Sequence, residues 1–302
     1  MAANLYTHQS GNVAKTWLLM SLFFVLIMAI GLFASWYVND SSILYIAVFV
    51  SIIMNIASYW WSDKIVLSLT GAKPASKETH YELYTLVENL AITAGLPMPK
   101  VYVIEDAAPN AFATGRNKEH AVVAFTTGLL CTLNRTELEG VAAHELAHIG
   151  NRDILLQTVV VVLVGFVTLL SDMLLRISAT GGGDRDRGNQ VQLILMIAGF
   201  ILALLAPLVA TLMQLAISRK REFLADATGA MLTRYPEGLA SALEKISQSS
   251  VQMKRANHAT AHLFISDPFG EKKGRERINF LHKIFLTHPP VQERVAALRG
   301  TR

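Results

Sequence analysis

Four long apolar runs limit how this chain can fold: about Trp17 to Tyr37, Ile43 to Trp61, Ile154 to Ile177 and Val191 to Ile217. Each is near or above the roughly 18 to 20 residues needed to cross about 30 Å of hydrocarbon at 1.5 Å per residue. They hold most of the apolar excess of a 302-residue chain that is 52% hydrophobic and only 17% charged. A multi-pass membrane protein with four transmembrane helices is therefore expected. All four tryptophans, Trp17, Trp36, Trp60 and Trp61, lie at the ends of the first two runs, with Tyr37, Tyr45 and Tyr59 nearby. Amphipathic rings settle at headgroup level, so this placement reads as an aromatic belt. The first run exceeds the roughly 7 to 15 apolar residues of a cleaved leader, and a second span follows at once.

Lysine and arginine orient the runs. The short loop Val38 to Ser42 has none, whereas the segment between the second and third runs holds eight and the tail after the fourth holds fifteen, beginning Arg219-Lys220-Arg221. Positively charged segments stay on the cytoplasmic side, which places both large polar segments there together with the amino terminus. Because the basic residues follow the membrane, without an interleaved set of stacking aromatics, the net charge of +4 gives no reason to expect nucleic acid. A lone Cys131 rules out an internal disulfide framework, and its apolar setting suggests a small core residue.

Between the second and third runs, Ser76 to Ala94 carries Leu83, Leu86, Val87, Leu90, Ala91 and Ala94 at helical spacing and stops at Gly95. Val101 to Glu105, Asn110 to Thr114 and Ala121 to Phe125 read as short strands of one small sheet. Asn110, Ala111 and Phe112 open a candidate edge where a peptide could add as a further strand. Thr136-Glu137-Leu138-Glu139 reads as a capping box, so a helix follows through Gly150. Within it stands His144-Glu145-Leu146-Ala147-His148. Residues four apart share a helical face, so His144 and His148 can aim one nitrogen each at a single metal ion, with Glu145 turned toward a water on it. The Gly181 to Gly188 stretch is an external linker, and the helices after the fourth run are expected at Arg221 to Asp226, from Pro236, and from Val291.

A catalytic zinc has three protein ligands, so a third must come from elsewhere. Glu222 and Asp226 lie four apart on one helical face. That spacing lets Glu222 bind the metal while Asp226 accepts the remaining ring proton of a ligand histidine, His144 being the expected one.

Asn110-Ala-Phe-Ala-Thr-Gly115, His144 to Asp153, Arg221-Glu-Phe-Leu-Ala-Asp226 and His288-Pro-Pro-Val-Gln-Glu-Arg294 together resemble the HtpX-type membrane zinc metalloproteases, relatives of the CAAX prenyl proteases. The likeness runs through nearly the whole chain. It implies a mainly α fold with a small β-sheet, and a cytosolic zincin-like protease domain built on a multi-pass membrane protein. It also implies one zinc ion (Zn2+) bound by His144, His148 and Glu222, Glu145 as catalytic base, and an active-site role for His288. Family resemblance further implies the bacterial cytoplasmic membrane, the lipid bilayer around the spans, and misfolded or damaged membrane proteins as substrates.

The chain then divides into a membrane hairpin (1–62), a first catalytic part (63–153), a second hairpin (154–217) and a second catalytic part (218–302). Zinc lowers the pKa of a bound water toward about 7, Glu145 takes the proton and later gives it to the leaving amine, and His288 is the candidate donor to the oxyanion. If the helices carrying His148 and Glu222 run unbroken into their spans, the metal lies within about 10 Å of the hydrocarbon boundary. Two other classes share some of these features. A transporter needs ionisable groups in mid-span, and the runs offer almost none, Asn55 being the one mid-span polar residue of note. A catalytically dead scaffold that retains zinc would share every motif and differ only in activity.

Overall fold

A computed structural model describes residues 5–180, 199, 219–257, 260–269 and 289–300. Two helices, α1 (Leu5–Val38) and α2 (Ser42–Trp60), form on the first two apolar runs and pack together. Gly31 makes their approach possible, since a Cβ there would stand 2.3 Å from the Cβ of Ala47. Without a hydrophobic drive between helices in lipid, such small-residue contacts allow dispersion to hold them. Their outer faces expose Leu18, Leu22, Val25, Phe49, Ile52 and Ile56, a continuous apolar surface suited to hydrocarbon. The four tryptophans are all more than half exposed, Trp36, Trp60 and Trp61 at helix ends and Trp17 three turns into α1. Mid-span Asn55 turns inward on its own helix, its Nδ2 donating to the Ser51 carbonyl at 2.9 Å.

A third helix long and apolar enough to cross a membrane is α7 (Asp153–Thr180), but it is used differently. Of its most apolar window 72% is buried inside the protein, against 28% for α1 and 11% for α2. Its residues from Ile154 to Val164 are all buried, packed against α1, α2, a short α3 (Ser62–Thr70) and the sheet; Leu169 and Met173 face outward. The first half of this run is thus shared core between the membrane helices and the polar segments. The fourth run and the 181–188 linker lie outside the described residues except for Gly199, whose carbonyl accepts from Ser171 Oγ at 2.9 Å.

The sheet has four strands in the order β1-β2-β4-β3: β1 (Lys73–Pro74), β2 (Lys100–Ile104), β3 (Ala111–Gly115) and β4 (Ala121–Thr126). Strands β2 and β4 are parallel and the other pairs antiparallel. The three expected strands form within a residue of their expected limits; β1 adds a two-residue edge too short to leave a pattern in sequence. Before β2, α4 (Tyr81–Ala94) buries Leu83, Leu86, Val87, Leu90 and Ala91, as its spacing requires, and ends at Gly95 with φ +62°. It starts five residues later than expected because Ser76 and Thr79 cap each other in a turn. Ser76 N–H donates to Thr79 Oγ1 (3.1 Å) and Thr79 N–H to Ser76 Oγ (3.3 Å). After β4 comes α5 (Thr127–Thr132), where Cys131 is exposed on the outer face and is not the core residue its neighbours suggested.

The histidine-bearing helix is α6 (Arg135–Gly150), and its capping box lies two residues earlier than expected. Asn134 Oδ1 accepts from Glu137 N–H at 3.0 Å, and Glu137 Oε2 accepts from Asn134 N–H at 2.9 Å, while Thr136 Oγ1 only donates to the Asn134 side chain. Both registers fit the capping pattern, but Glu137 can also meet Lys245 Nζ at 2.8 Å, an ion pair from outside the local sequence. The helix ends at Gly150, and Arg152 takes a left-handed φ of 59° before α7 begins. An unbroken helix from His148 into the third run is therefore ruled out, and the distance expected along it does not apply.

Two further helices pack on α6, α8 (Arg219–Thr233) and α9 (Pro236–Gln248), and α10 (Val291–Leu298) packs on those two. Glycines set how closely they pack. A Cβ on Gly140 of α6 would meet Leu239 N of α9 at 2.6 Å, and one on Gly229 of α8 would meet His144 N at 3.0 Å. The core that results, with Val87, Val123, Phe125, Val141, Leu146, Leu239 and Leu243, fixes α6 on several sides and brings α8 against its histidine face.

Candidate metal centre

His144, Glu145 and His148 are all buried in α6, and Glu222 of α8 faces them at 0% exposure. The Nε2 atoms of the two histidines are 3.2 Å apart with their rings nearly perpendicular. Glu222 Oε1 is 3.6 Å from His148 Nε2, and Glu222 Oε2 is 3.9 Å from His144 Nε2. One ligand atom from each of the three residues therefore falls within 4.8 Å of the others. The i, i+4 spacing predicted the pair, and the close approach at Gly229 brings in the carboxylate.

The other ring nitrogens are fixed by carboxylates. His144 Nδ1 lies 2.9 Å from Asp226 Oδ1, as the Glu222–Asp226 spacing suggested. His148 Nδ1 lies 3.1 Å from Asp153 Oδ2, the residue that opens α7. Each carboxylate favours the Nδ1–H tautomer, which leaves a lone pair on Nε2 directed inward. Behind Asp226 stands Arg294 of α10, 1% exposed, donating from Nε to Oδ2 (2.9 Å) and from Nη2 to Oδ1 (2.7 Å). Behind Asp153 stand Asn12 of α1, donating from Nδ2 to Oδ1 at 2.7 Å, and Arg221, with Nη1 at 3.7 Å.

Titration of these groups follows from the same contacts. Burial pushes His144 down to about 4 despite the opposing pull of Asp226. For His148 burial acts in the same direction, but the carboxylates of Asp153, Glu222 and Glu145 outweigh it and hold the ring up at about 9. Burial would raise Asp226, yet Arg294 and His144 hold it at about 2, so it stays ionised. Two bare Nε2 lone pairs 3.2 Å apart beside a carboxylate repel each other. The cluster needs a positive charge among them, either a proton on His148 or a cation that all three can bind. A pair of imidazoles with one carboxylate is the donor set zinc takes in open catalytic sites.

The edge residues require a correction. Phe112 is fully buried, its ring set edge-on to Phe264 at 5.2 Å. Asn110 and Ala111 already pair with the chain itself. Asn110 Oδ1 accepts from Ser266 N–H (3.1 Å), its Nδ2 donates to Ser266 O (2.9 Å), and Ala111 O accepts from Ile265 N–H (3.0 Å). A substrate strand could add here only after 265–266 had left the edge. His288 lies outside the described residues. Sequence reasoning gave no role to Asp153, Arg294, Arg221 or Asn12. Asp153 carried a faint signal, a carboxylate five residues after His148. Arg294 closes the 288–294 motif, but nothing in the sequence joins it to Asp226, which it meets across 68 residues of chain.

Residues 77–302 match the model of peptidase family M48. A protease HtpX homolog of Caldanaerobacter subterraneus subsp. tengcongensis is 47% identical over 301 residues, 98% of this chain and 97% of the relative. Homologs of the same description from Pyrococcus furiosus (47%, 96% of each chain) and Streptococcus gordonii (44%, 98% of this chain and 99% of the relative) are similar throughout. The crystal structure of S. mikatae Ste24p aligns with 97% of this chain and 67% of its own, at a TM-score of 0.50 and 20% identity, a likeness of fold.

The Asp226–Arg294 pair yields a stability prediction. Arg294→Ala leaves a buried carboxylate without its counter-charge and is expected to cost about 3–5 kcal/mol. Arg299→Ala, which removes the solvent-exposed pairs with Glu237 and Glu244, is expected to cost far less, because water screens them. Unfolding of the two full-length variants in detergent checks this, and equal losses would contradict it.

Proposed function

This chain belongs to peptidase family M48 and is a metalloprotease, and its three helices long and apolar enough to cross a membrane make it an integral membrane protein; we propose that it is a zinc endopeptidase with His144, His148 and Glu222 as the metal ligands and Glu145 as the base. The observation that carries the proposal is the convergence of two Nε2 lone pairs and a carboxylate within 4.8 Å, with each imidazole held from behind by a second carboxylate. Zinc at this position supplies charge to polarise the scissile carbonyl and lowers the pKa of a water to about 7. Glu145, buried beside the pair and close enough for its charge to act on His148, takes the proton of the attacking water. It returns the proton to the leaving amine, since the base of one direction is the acid of the other. Asp226 and Asp153 keep the two rings in their ligand tautomers throughout. His288 remains the proposed donor to the oxyanion; the chain enters α10 just beyond it, and Arg294 of that helix is bound at the centre.

The proposed setting is the cytoplasmic membrane of a bacterium, with the site on the cytosolic side, supported by the lysines and arginines gathered in the two polar segments. The proposed substrates are misfolded or damaged membrane proteins, in keeping with a role in stress response. Two features favour them. The cluster adjoins the first residue of α7 and the first turns of α1, so it lies where membrane helices begin. Its side chains are also too buried for the surface of a folded protein to reach.

Glu145→Gln is expected to lower peptide cleavage, read on casein, by about 10²–10⁴-fold with zinc content unchanged, because the base is lost and every ligand kept. Loss of zinc along with activity would make Glu145 a ligand and contradict the assignment. Full activity would leave the base elsewhere. For sidedness, native Cys131 is an exposed reporter. An impermeant maleimide should label Ser41→Cys in intact cells and label Cys131 only after permeabilisation. Labelling of Cys131 in intact cells would place the site outside.

A further inference from the structure

One side chain of the first membrane helix reaches the metal cluster. Asn12 is 4% exposed, a carboxamide one residue into the apolar span Gly11–Tyr37. A buried amide at the mouth of a membrane helix is costly unless every polar atom is met, and where it occurs it generally serves function. Here its atoms are met by groups that adjoin two proposed metal ligands. Its Nδ2 donates to Asp153 Oδ1 at 2.7 Å and lies 3.4 Å from the Asn151 carbonyl. Its Oδ1 accepts from Arg221 Nη1 at 3.1 Å. Asp153 in turn holds His148 Nδ1 through its other oxygen, and Arg221 is the residue next to Glu222.

We infer that Asn12 is a positioning residue for the metal centre, joining the first membrane helix to His148 through Asp153 and to the Glu222 turn through Arg221. The inference rests on the zinc reading above. Its physical content is orientation. A carboxylate bound on one oxygen alone can pivot about its Cβ–Cγ bond; with Oδ1 fixed by Asn12, Oδ2 stays directed at His148 Nδ1 and the ring keeps Nε2 pointed at its partner. Arg221 at 3.7 Å balances the charge of Asp153 but lies beyond hydrogen-bond reach of Oδ1, so the short directional bond is the one from Asn12. Ion affinity thereby depends on α1 being seated against α7 and α8. The segments that carry His144, His148 and Glu222 hold a complete ligand set, but one of their supporting contacts comes from the membrane hairpin.

The test uses full-length protein in detergent and zinc as the probe, with affinity read by competition against a chelator. Asn12→Leu keeps the branched shape and heavy-atom count, removes the polar contacts to Asp153, the Asn151 carbonyl and Arg221 and suits a membrane helix, so an Asn12 with a purely structural role predicts an unchanged zinc affinity. The inference predicts zinc bound about 10–100-fold more weakly, the usual consequence of losing an outer partner of a ligand. It also predicts peptidase activity that is lost at limiting zinc and restored as free zinc is raised. Thr16→Val, one turn along the same helix, removes a hydroxyl bonded to the Asn12 carbonyl and should leave zinc affinity as it was. Combining Asn12→Leu with Asp153→Asn should weaken zinc by less than the product of the two single effects, because both act on one contact. Should Asn12→Leu fail to fold, Asn12→Ala gives the same reading. Wild-type affinity in the folded Asn12 variant, or fully multiplicative effects with Asp153→Asn, overturns the inference and leaves the zinc reading standing. A wild-type protein that binds no zinc overturns both.

Discussion

Two imidazoles held back to back with carboxylates impose the main constraint on this molecule. Asp226 and Asp153 fix the Nδ1 sides of His144 and His148, so the Nε2 sides meet at 3.2 Å with Glu222 beside them. Such a cluster of acceptors is stable only around positive charge. Much of the surrounding architecture follows from holding it in place: α8 presses on α6 at Gly229, α10 brings Arg294 to Asp226, and α7 begins at the residue that holds His148. Relaxing any of these contacts would let a ring turn and the shared focus be lost.

The cost of the arrangement is the burial of charge. Glu145, Glu222, Asp153 and Asp226 are each nearly inaccessible, and Arg221 and Arg294 are buried among them. Ions taken from water are repaid only where geometry is good and remaining lone pairs are met, which is why the Arg294–Asp226 contact is bidentate. The same low-dielectric surroundings strengthen the electrostatic field at the centre, where the Glu145 carboxylate also acts on His148. Stability is thus traded for a preorganised site. Membrane and protease parts meet in one polar network, since Asn12 and Asp153 both belong to helices of membrane-spanning character.

What could be read from sequence was whatever depends on short spacing. His144 with His148, Glu222 with Asp226, the apolar face of α4 and the first two spans all follow from helical periodicity, and each appears in the structure near its expected place. Reading failed where partners come from afar. The capping box settled on Asn134 and Glu137, a register that also lets Glu137 meet Lys245 of α9. The third run reads as a transmembrane helix, and α7 is long and apolar enough to be one, but its enclosure by the rest of the protein leaves no mark in the sequence, because a buried core helix and a membrane helix carry the same apolar content. Asn110 and Phe112 resembled an open strand edge, but the chain supplies its own partner at 264–266. The partners of Arg294 and Asn12 were illegible for the same reason: only folding carries each side chain 68 or 141 positions to its carboxylate.

The central claim is that one metal ion is shared by His144, His148 and Glu222. X-ray absorption at the zinc edge of the metal-loaded full-length protein tests it directly. The account predicts a low-coordinate zinc with two imidazole nitrogens at roughly 2.0–2.1 Å, one carboxylate oxygen at about 2.0–2.2 Å and a position left for water. A spectrum lacking imidazole scattering, or showing sulfur from Cys131 in the first shell, would contradict it.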